Sequence, residues 1–144
     1  MKKFGANQAI NGSYGEVWMD DEYLGECTEA HAEIALTYTD VAMARSLTAG
    51  KKLIKLEYKG SLKMVHVRSI VAQKMCENLK RGKTPTSKII MKVDDPDALG
   101  AERCVLYSCK FDKAVLIDFA SGKVGDESYS FTYEDYDLLD MIKA

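Results

Sequence analysis

Thr28-Glu29-Ala30-His31-Ala32-Glu33-Ile34-Ala35-Leu36-Thr37-Tyr38 decides the fold class. Its even positions are Thr, Ala, Ala, Ile, Leu and Tyr; its odd positions are Glu, His, Glu, Ala and Thr. Side chains of a strand alternate between two faces, so this period of two predicts a long, half-buried strand with one wet face. Three further stretches repeat the pattern. Ile54, Leu56 and Tyr58 alternate with Lys55, Glu57 and Lys59, which places the first three on the core face. Ile89, Met91 and Val93 alternate with Lys88, Ile90 and Lys92, and Tyr129, Phe131 and Tyr133 alternate with Ser128, Ser130, Thr132 and Glu134. Short apolar runs at Cys104–Tyr107 and Ala114–Phe119 predict more deeply buried strands. Glu16–Met19 and Glu22–Leu24 flank Asp20-Asp21 as the arms of a hairpin.

One segment has a different period. Val67, Ile70, Val71, Met75 and Leu79 follow helical spacing, Ser69 suits the N-cap, and Lys80, Arg81, Gly82 and Pro85 are end signals. The spacing predicts one α-helix at about 69–81 among seven or eight strands. The expected class is mainly β (α+β): a β-sandwich or small barrel with one flanking helix. Breaks at Gly12–Gly15, Thr39–Lys52, Gly82–Ser87, Asp94–Ala101 and Ser121–Gly125 are too short to be domain linkers. Residues 1–144 therefore read as a single domain, the usual size for one.

Composition narrows the function. With 47% hydrophobic and 29% charged residues, the chain is neither disordered nor a membrane span. The two lysines at the start lack an apolar stretch behind them, so no secretory signal is read and folding in the cytoplasm is expected. Cys27, Cys76, Cys104 and Cys109 form no C-x-x-C pair. Neither Cys27 with His31 nor Cys104 with Cys109 has zinc-ligand spacing, so reduced core thiols are expected and no metal site. The two histidines, His31 and His66, lie in alternating stretches rather than beside a nucleophile. Asn11-Gly12-Ser13-Tyr14-Gly15-Glu16 lacks the Lys-Ser/Thr of a phosphate loop and precedes a strand. Asp94-Asp95-Pro96-Asp97 breaks calcium-loop spacing and reads as a solvated connection. No catalytic residue and no cofactor are predicted.

The net charge of −2 hides a segregation. Residues 41–92 hold thirteen Lys/Arg against Glu57 and Glu77, whereas residues 93–144 hold five against twelve acids. Two readings follow. The basic 45–92 segment is either the face of a monomeric nucleic-acid-binding β-barrel, or one of two complementary surfaces that meet between copies. The sequence pI near 5.7 and the core-face placement of Tyr58, the one aromatic in the basic run, weigh against the first.

The C-terminal third carries a resemblance. Glu102–Tyr107, Phe111-Asp112-Lys113-Ala114 and above all Tyr129-Ser130-Phe131-Thr132-Tyr133-Glu134-Asp135-Tyr136-Asp137 resemble the tail tube protein of contractile-tailed phages and PBSX-like defective prophages, which ends in a similar aromatic-and-acid phrase. Asn11-Gly12-x-x-Gly15, Asp40-Val41, Gly50 with Lys52, and Gly60 extend the likeness over the whole chain in order. It implies a structural subunit rather than an enzyme. Such subunits form hexameric rings stacked as the inner tube of a contractile tail or bacteriocin-like particle, with strands of neighbouring copies joined into an inner barrel. The implied partners are the chain itself, sheath, baseplate and tail-terminator proteins, with passing DNA and no membrane anchor. The implied location is the bacterial cytoplasm during assembly, then the particle. Open strand edges are a liability unless paired, which fits ring closure. The expected assembly residues are Val41, Met43, Arg45, Leu47 and Lys52 in the Thr39–Lys52 loop, and Glu134, Asp135 and Asp137. Glu29, Glu33 and Glu57, on the wet faces, are the expected lumen residues.

Overall fold

The structure, a computed structural model, describes residues 3–143. Its strands are β1 (Gly15–Met19), β2 (Glu22–Tyr23), β3 (Cys27–Val41), β4 (Gly50–Val65), β5 (Ser87–Val93), β6 (Glu102–Phe111), β7 (Asp126–Thr132) and β8 (Asp135–Asp140), with α1 (Ile70–Lys80) between β4 and β5. All pairings are antiparallel, in the order β2-β1-β5-β6-β7-β4-β3, with β8 also on β6. The expected mainly-β class with one flanking helix is what the chain adopts.

β6 belongs to two groups of strands. Its first part pairs with β5 and β8, and its last two residues, Lys110 and Phe111, pair with Thr132 and Phe131 of β7. Ser108, just before the change of partner after Cys109, has a φ of +55°, a turn of the backbone near the point where the strand crosses over. The two groups enclose one apolar cluster. Met19, Ile89 and Leu106 come from the first group, Leu62, Met64, Tyr129 and Phe131 from the second, and Ile70, Val71 and Met75 from α1. Across the first group the register sets two inward rows, Met19–Ile89–Leu106–Tyr136 and Val17–Met91–Cys104–Leu138. Their neighbours Glu16, Lys92, Arg103 and Asp140 form a charged row on the opposite face, as the pleat requires.

Local signals behave as their chemistry predicts. Asp20 and Asp21 take φ values of 50° and 67°, the left-handed pair that a two-residue hairpin needs. Helix α1 ends in a Schellman arrangement: the Gly82 N–H donates to Leu79 O and the Lys83 N–H to Asn78 O, with Gly82 at φ 71°. Ser69 sits at the N-cap, but its side chain makes no capping hydrogen bond. The apolar stripe of the helix is buried only through Met75; Leu79 and the preceding Val67 are exposed.

Four expectations need correction. Residues 114–119 form no strand: Ala114 and Val115 pack on the core, but Leu116, Ile117 and Phe119 are 79%, 80% and 84% exposed. An apolar run reports a need for burial, and here this copy does not meet it. Ile54 and Leu56 are likewise exposed rather than in the core, because β4 is joined to β7 only from Lys59 onward and the body ends there. The Thr39–Lys52 loop is mostly ladder: Thr39, Asp40 and Val41 pair with Lys52, Lys51 and Gly50, leaving a tip of residues 42–49. Finally, Asp95 is not solvated but buried, its carboxylate accepting from the backbone N–H groups of Asn11 and Asp97 at 2.9 Å each.

Candidate assembly interface

β3 and β4 pair along their whole length, but only the second half of β4 has another neighbour. Residues 33–41 and 50–58 thus make a two-stranded arm reaching about 25–30 Å past the body, at roughly 3.3 Å per residue. At its base the Tyr133 hydroxyl donates to Glu33 O at 2.8 Å, and the Tyr58 ring stacks on Tyr133 with centroids 5.2 Å apart. Burial pushes the Tyr133 phenol up to about 12, so it stays a donor well into the alkaline range. Further out, Ile34 faces Tyr58, Leu36 faces Leu56, and a bulge at Thr37/Tyr38 brings Tyr38 opposite Leu53. This apolar face is half open to water: Leu36, Tyr38, Leu53 and Leu56 are each more than 40% exposed. The long strand expected from Thr28–Tyr38 is therefore longer than its sequence pattern, and among its residues only Cys27, Ala32, Ile34 and Ala35 are partly buried.

The opposite face gathers the expected lumen residues. Glu29 lies opposite Lys63, Glu33 opposite Lys59, and Glu57 opposite Ala35, with Lys55 two residues on. Glu57 bridges Lys55 and Lys59 at 2.7 and 3.0 Å. Hydrogen bonds and charge from Lys55 and Lys59 hold its carboxyl down to about 2, and Glu57 raises the ammonium of Lys59 in return. These three acids match the three lysines one for one, and Lys52, opposite Thr39, adds one further positive charge to the face.

Val41, Met43, Arg45, Leu47 and Lys52 come together at the arm's end. Leu47 is fully exposed, Val41 and Met43 about half so, and Arg45 turns the tip at a φ of 59°. Glu134, Asp135 and Asp137 lie elsewhere, in and just before β8, a strand that sequence reading missed. Three carboxylates along a six-residue segment masked the inward pair Tyr136 and Leu138. The C-terminal acids also have partners from distant parts of the chain: Glu134 meets Lys110, Asp137 accepts from the Tyr107 hydroxyl at 2.9 Å, Asp140 lies 3.2 Å from Arg103, and Glu127 lies 2.8 Å from His66. The basic segment is similarly engaged. Lys51 pairs with Asp40, Arg81 with Glu77, and Arg68 with Glu22 and Glu26 at 2.8 Å each, tying the start of the helix to the β2 turn. Part of the charge segregated in sequence is thus paired in space, while Asp135 and Asp137 have no basic partner among the ion pairs of the described residues.

The thiols stay apart. Cys109 is buried, which pushes it up to about 12, and burial also raises Cys27 and Cys104. Among the described residues, no three or more His, Cys, Asp or Glu gather as a metal site, and no helix is long and apolar enough to cross a membrane.

The described residues thus form a β protein with free strand edges, a projecting arm and exposed apolar surface. The sequence profile of the phage tail tube protein family matches residues 2–140, and the chain belongs to that family. No curated protein matches its sequence. In fold it is similar to a chain of the anti-feeding prophage cap, a tube-terminating cap, with a TM-score of 0.71 at 9% identity over 97% of each chain. It is also similar to a sheath/tube terminator of an extracellular contractile injection system (TM-score 0.69, 7% identity, 94% of this chain and 100% of that one). A chain of the native gene transfer agent virion is a more distant likeness (0.55, 12%, 92% and 100%). The family is one of phage tail tube proteins, and these neighbours are parts of a tube-terminating cap, a contractile injection system and a virion.

Proposed function

We propose that the chain, acting as a single tail-tube domain over residues 1–144, closes into hexameric rings that stack as the inner tube of a contractile tail or bacteriocin-like particle. The tube serves as a DNA conduit or a puncturing rod. The observation that carries this reading is the arm. A two-stranded ribbon with its apolar face open to water is marginal on its own, and it becomes stable when further strands flank it. In a closed ring each arm lies against its neighbours, so Leu36, Tyr38, Leu53 and Leu56 lose their solvent. Head-to-tail contacts of this kind close into rings where the rotation permits.

The arm-tip residues Val41, Met43, Arg45, Leu47 and Lys52 then meet another copy, and Glu134, Asp135 and Asp137 add a negative surface that orients the encounter. Glu29, Glu33 and Glu57 face the lumen with Lys55, Lys59 and Lys63. A wall whose acids offset most of its lysines suits a conduit, since a wall of unrelieved lysines would hold DNA by counterion release. Sheath, baseplate and terminator proteins are the further partners, and assembly takes place in the bacterial cytoplasm before the particle is complete.

The test is to replace residues 42–49 with a two-residue Asn-Gly turn and follow sedimentation. The expected product is a folded monomer that no longer assembles. Tube formation by this variant would remove the arm tip from the interface.

A further inference from the structure

The inward rows of the sandwich are not equally filled. Met19, Ile89 and Leu106, in one row, are buried at 0–2% exposure. The next row, Val17–Met91–Cys104–Leu138, opens progressively and ends at Leu138, 58% exposed. Between this row and Ala30 and Leu62 of the facing strands lies an open cleft of about 1040 Å³. Its lining mixes the apolar row with charged side chains, among them Glu29, Lys63, Lys92 and Arg103, and a gap of this size in a fold that packs near crystal density is as large as a ligand pocket. The small side chain of Ala30 leaves room on one wall, and an extended apolar segment has the shape to fill it.

The same chain carries such a segment. Leu116-Ile117-Asp118-Phe119 has three large side chains at 79–84% exposure and no strand pairing. It is rooted by Ala114 and Val115 on the core, which fixes where it projects. A phenylalanine side chain alone buries about 150–250 Å² when covered. With Leu116 and Ile117, the segment would supply a large share of the roughly 800 Å² per partner of a stable interface.

We infer that Leu116–Phe119 of one copy lies in the Val17–Met91–Cys104–Leu138 cleft of the next. This rests on the proposed assembly, and it adds a second contact distinct from the arm. A knob and a hole on different surfaces of one chain make a heterologous contact, the kind that builds rings and stacks rather than two-fold dimers.

Cys104 in the cleft wall is a built-in reporter. Its alkylation by N-ethylmaleimide, read by mass spectrometry, is compared in dispersed protein and in tubes of the full chain. Protection of at least tenfold in tubes is expected. A Phe119→Cys, Leu138→Cys double variant, both positions being exposed in the single copy, is oxidised in parallel. It should give a ladder of linked subunits that neither single variant gives. Tubes in which Cys104 reacts as fast as in dispersed protein, or in which no ladder forms, overturn the inference and leave the tube assignment standing. Equal protection in the dispersed protein also overturns it, since the loop then fills its own cleft. If no tubes form at all, the assignment fails and the inference with it.

Discussion

The ring of Phe131 occupies the place where a side chain on Gly60 would be. The two are register partners across β4 and β7, and a Cβ on Gly60 would stand 2.4 Å from Phe131 Cζ and 2.9 Å from the His31 carbonyl oxygen. Glycine in mid-strand here marks a close approach. Phe131 in turn packs edge-on against Phe111, with centroids 5.5 Å apart, at the point where β6 crosses to β7.

Gly60→Ala should therefore destabilise by about 1–3 kcal/mol, the usual cost of overpacking, as measured by denaturant unfolding. Adding Phe131→Leu should recover part of that loss, because the two changes share one space. Full recovery is not expected, since the His31 carbonyl stays in place. Additive losses would show that the ring is not what crowds the site.

Tyr133→Phe removes the hydroxyl that ties β7 to the base of the arm at Glu33. The expected loss is about 0.5–1.5 kcal/mol. Alkaline titration gives a further check. Burial holds Tyr133 and Tyr129 at about 12 against an ordinary 10, so their contribution is fully present below pH 10 and is lost as the pH rises to about 12. Unfolding followed by tyrosinate absorbance should begin above pH 10, and more weakly in the Phe variant. Ionisation of Tyr129 or Tyr133 themselves at pH 10 without loss of structure, read residue by residue by NMR, would contradict the burial argument.

Glu57 should remain ionised as the pH falls through 4.5 and protonate only near 2, in a side-chain carboxyl NMR titration. The site is exposed, so high salt should move the midpoint back toward 4.5. A midpoint of 4.5 at low salt would mean that Lys55 and Lys59 do not hold the carboxylate.

Leu36→Ser with Leu56→Ser alters side chains that are nearly half exposed in the single copy. Monomer stability should change by no more than about 0.5 kcal/mol, while assembly should be lost. Met64→Ala, at 1% exposure, should do the reverse: a large loss of stability, about 2–5 kcal/mol, with no specific effect on the interface at low temperature. Light scattering and thermal melts on both variants separate the two cases.

The sequence announced element type well where local chemistry decides it. Asp20-Asp21 and Gly82 take the left-handed conformations their turns require, and the period-two and helical stretches became strands and a helix. It was silent on which molecule does the burying. Ile54, Leu56, Leu116, Ile117 and Phe119 looked like core because they are apolar, yet in a single copy they stand exposed. β8 was invisible for the opposite reason: its carboxylates Asp135, Asp137 and Asp140 outweighed Tyr136 and Leu138. Charge segregation along the sequence did not show which acids find partners, because Lys110 and Arg103 reach Glu134 and Asp140 only after folding. Of the expected site residues, the three lumen glutamates do share one face, whereas the arm tip and the β8 acids lie on elements that do not pair.

Electron microscopy of the purified full chain tests the central claim most directly. The account predicts rings with six-fold symmetry, at high protein concentration stacked into hollow tubes, in which β3 and β4 line the wall. A chain that stays monomeric at every concentration, with its arm amides freely exchanging hydrogen, would contradict it.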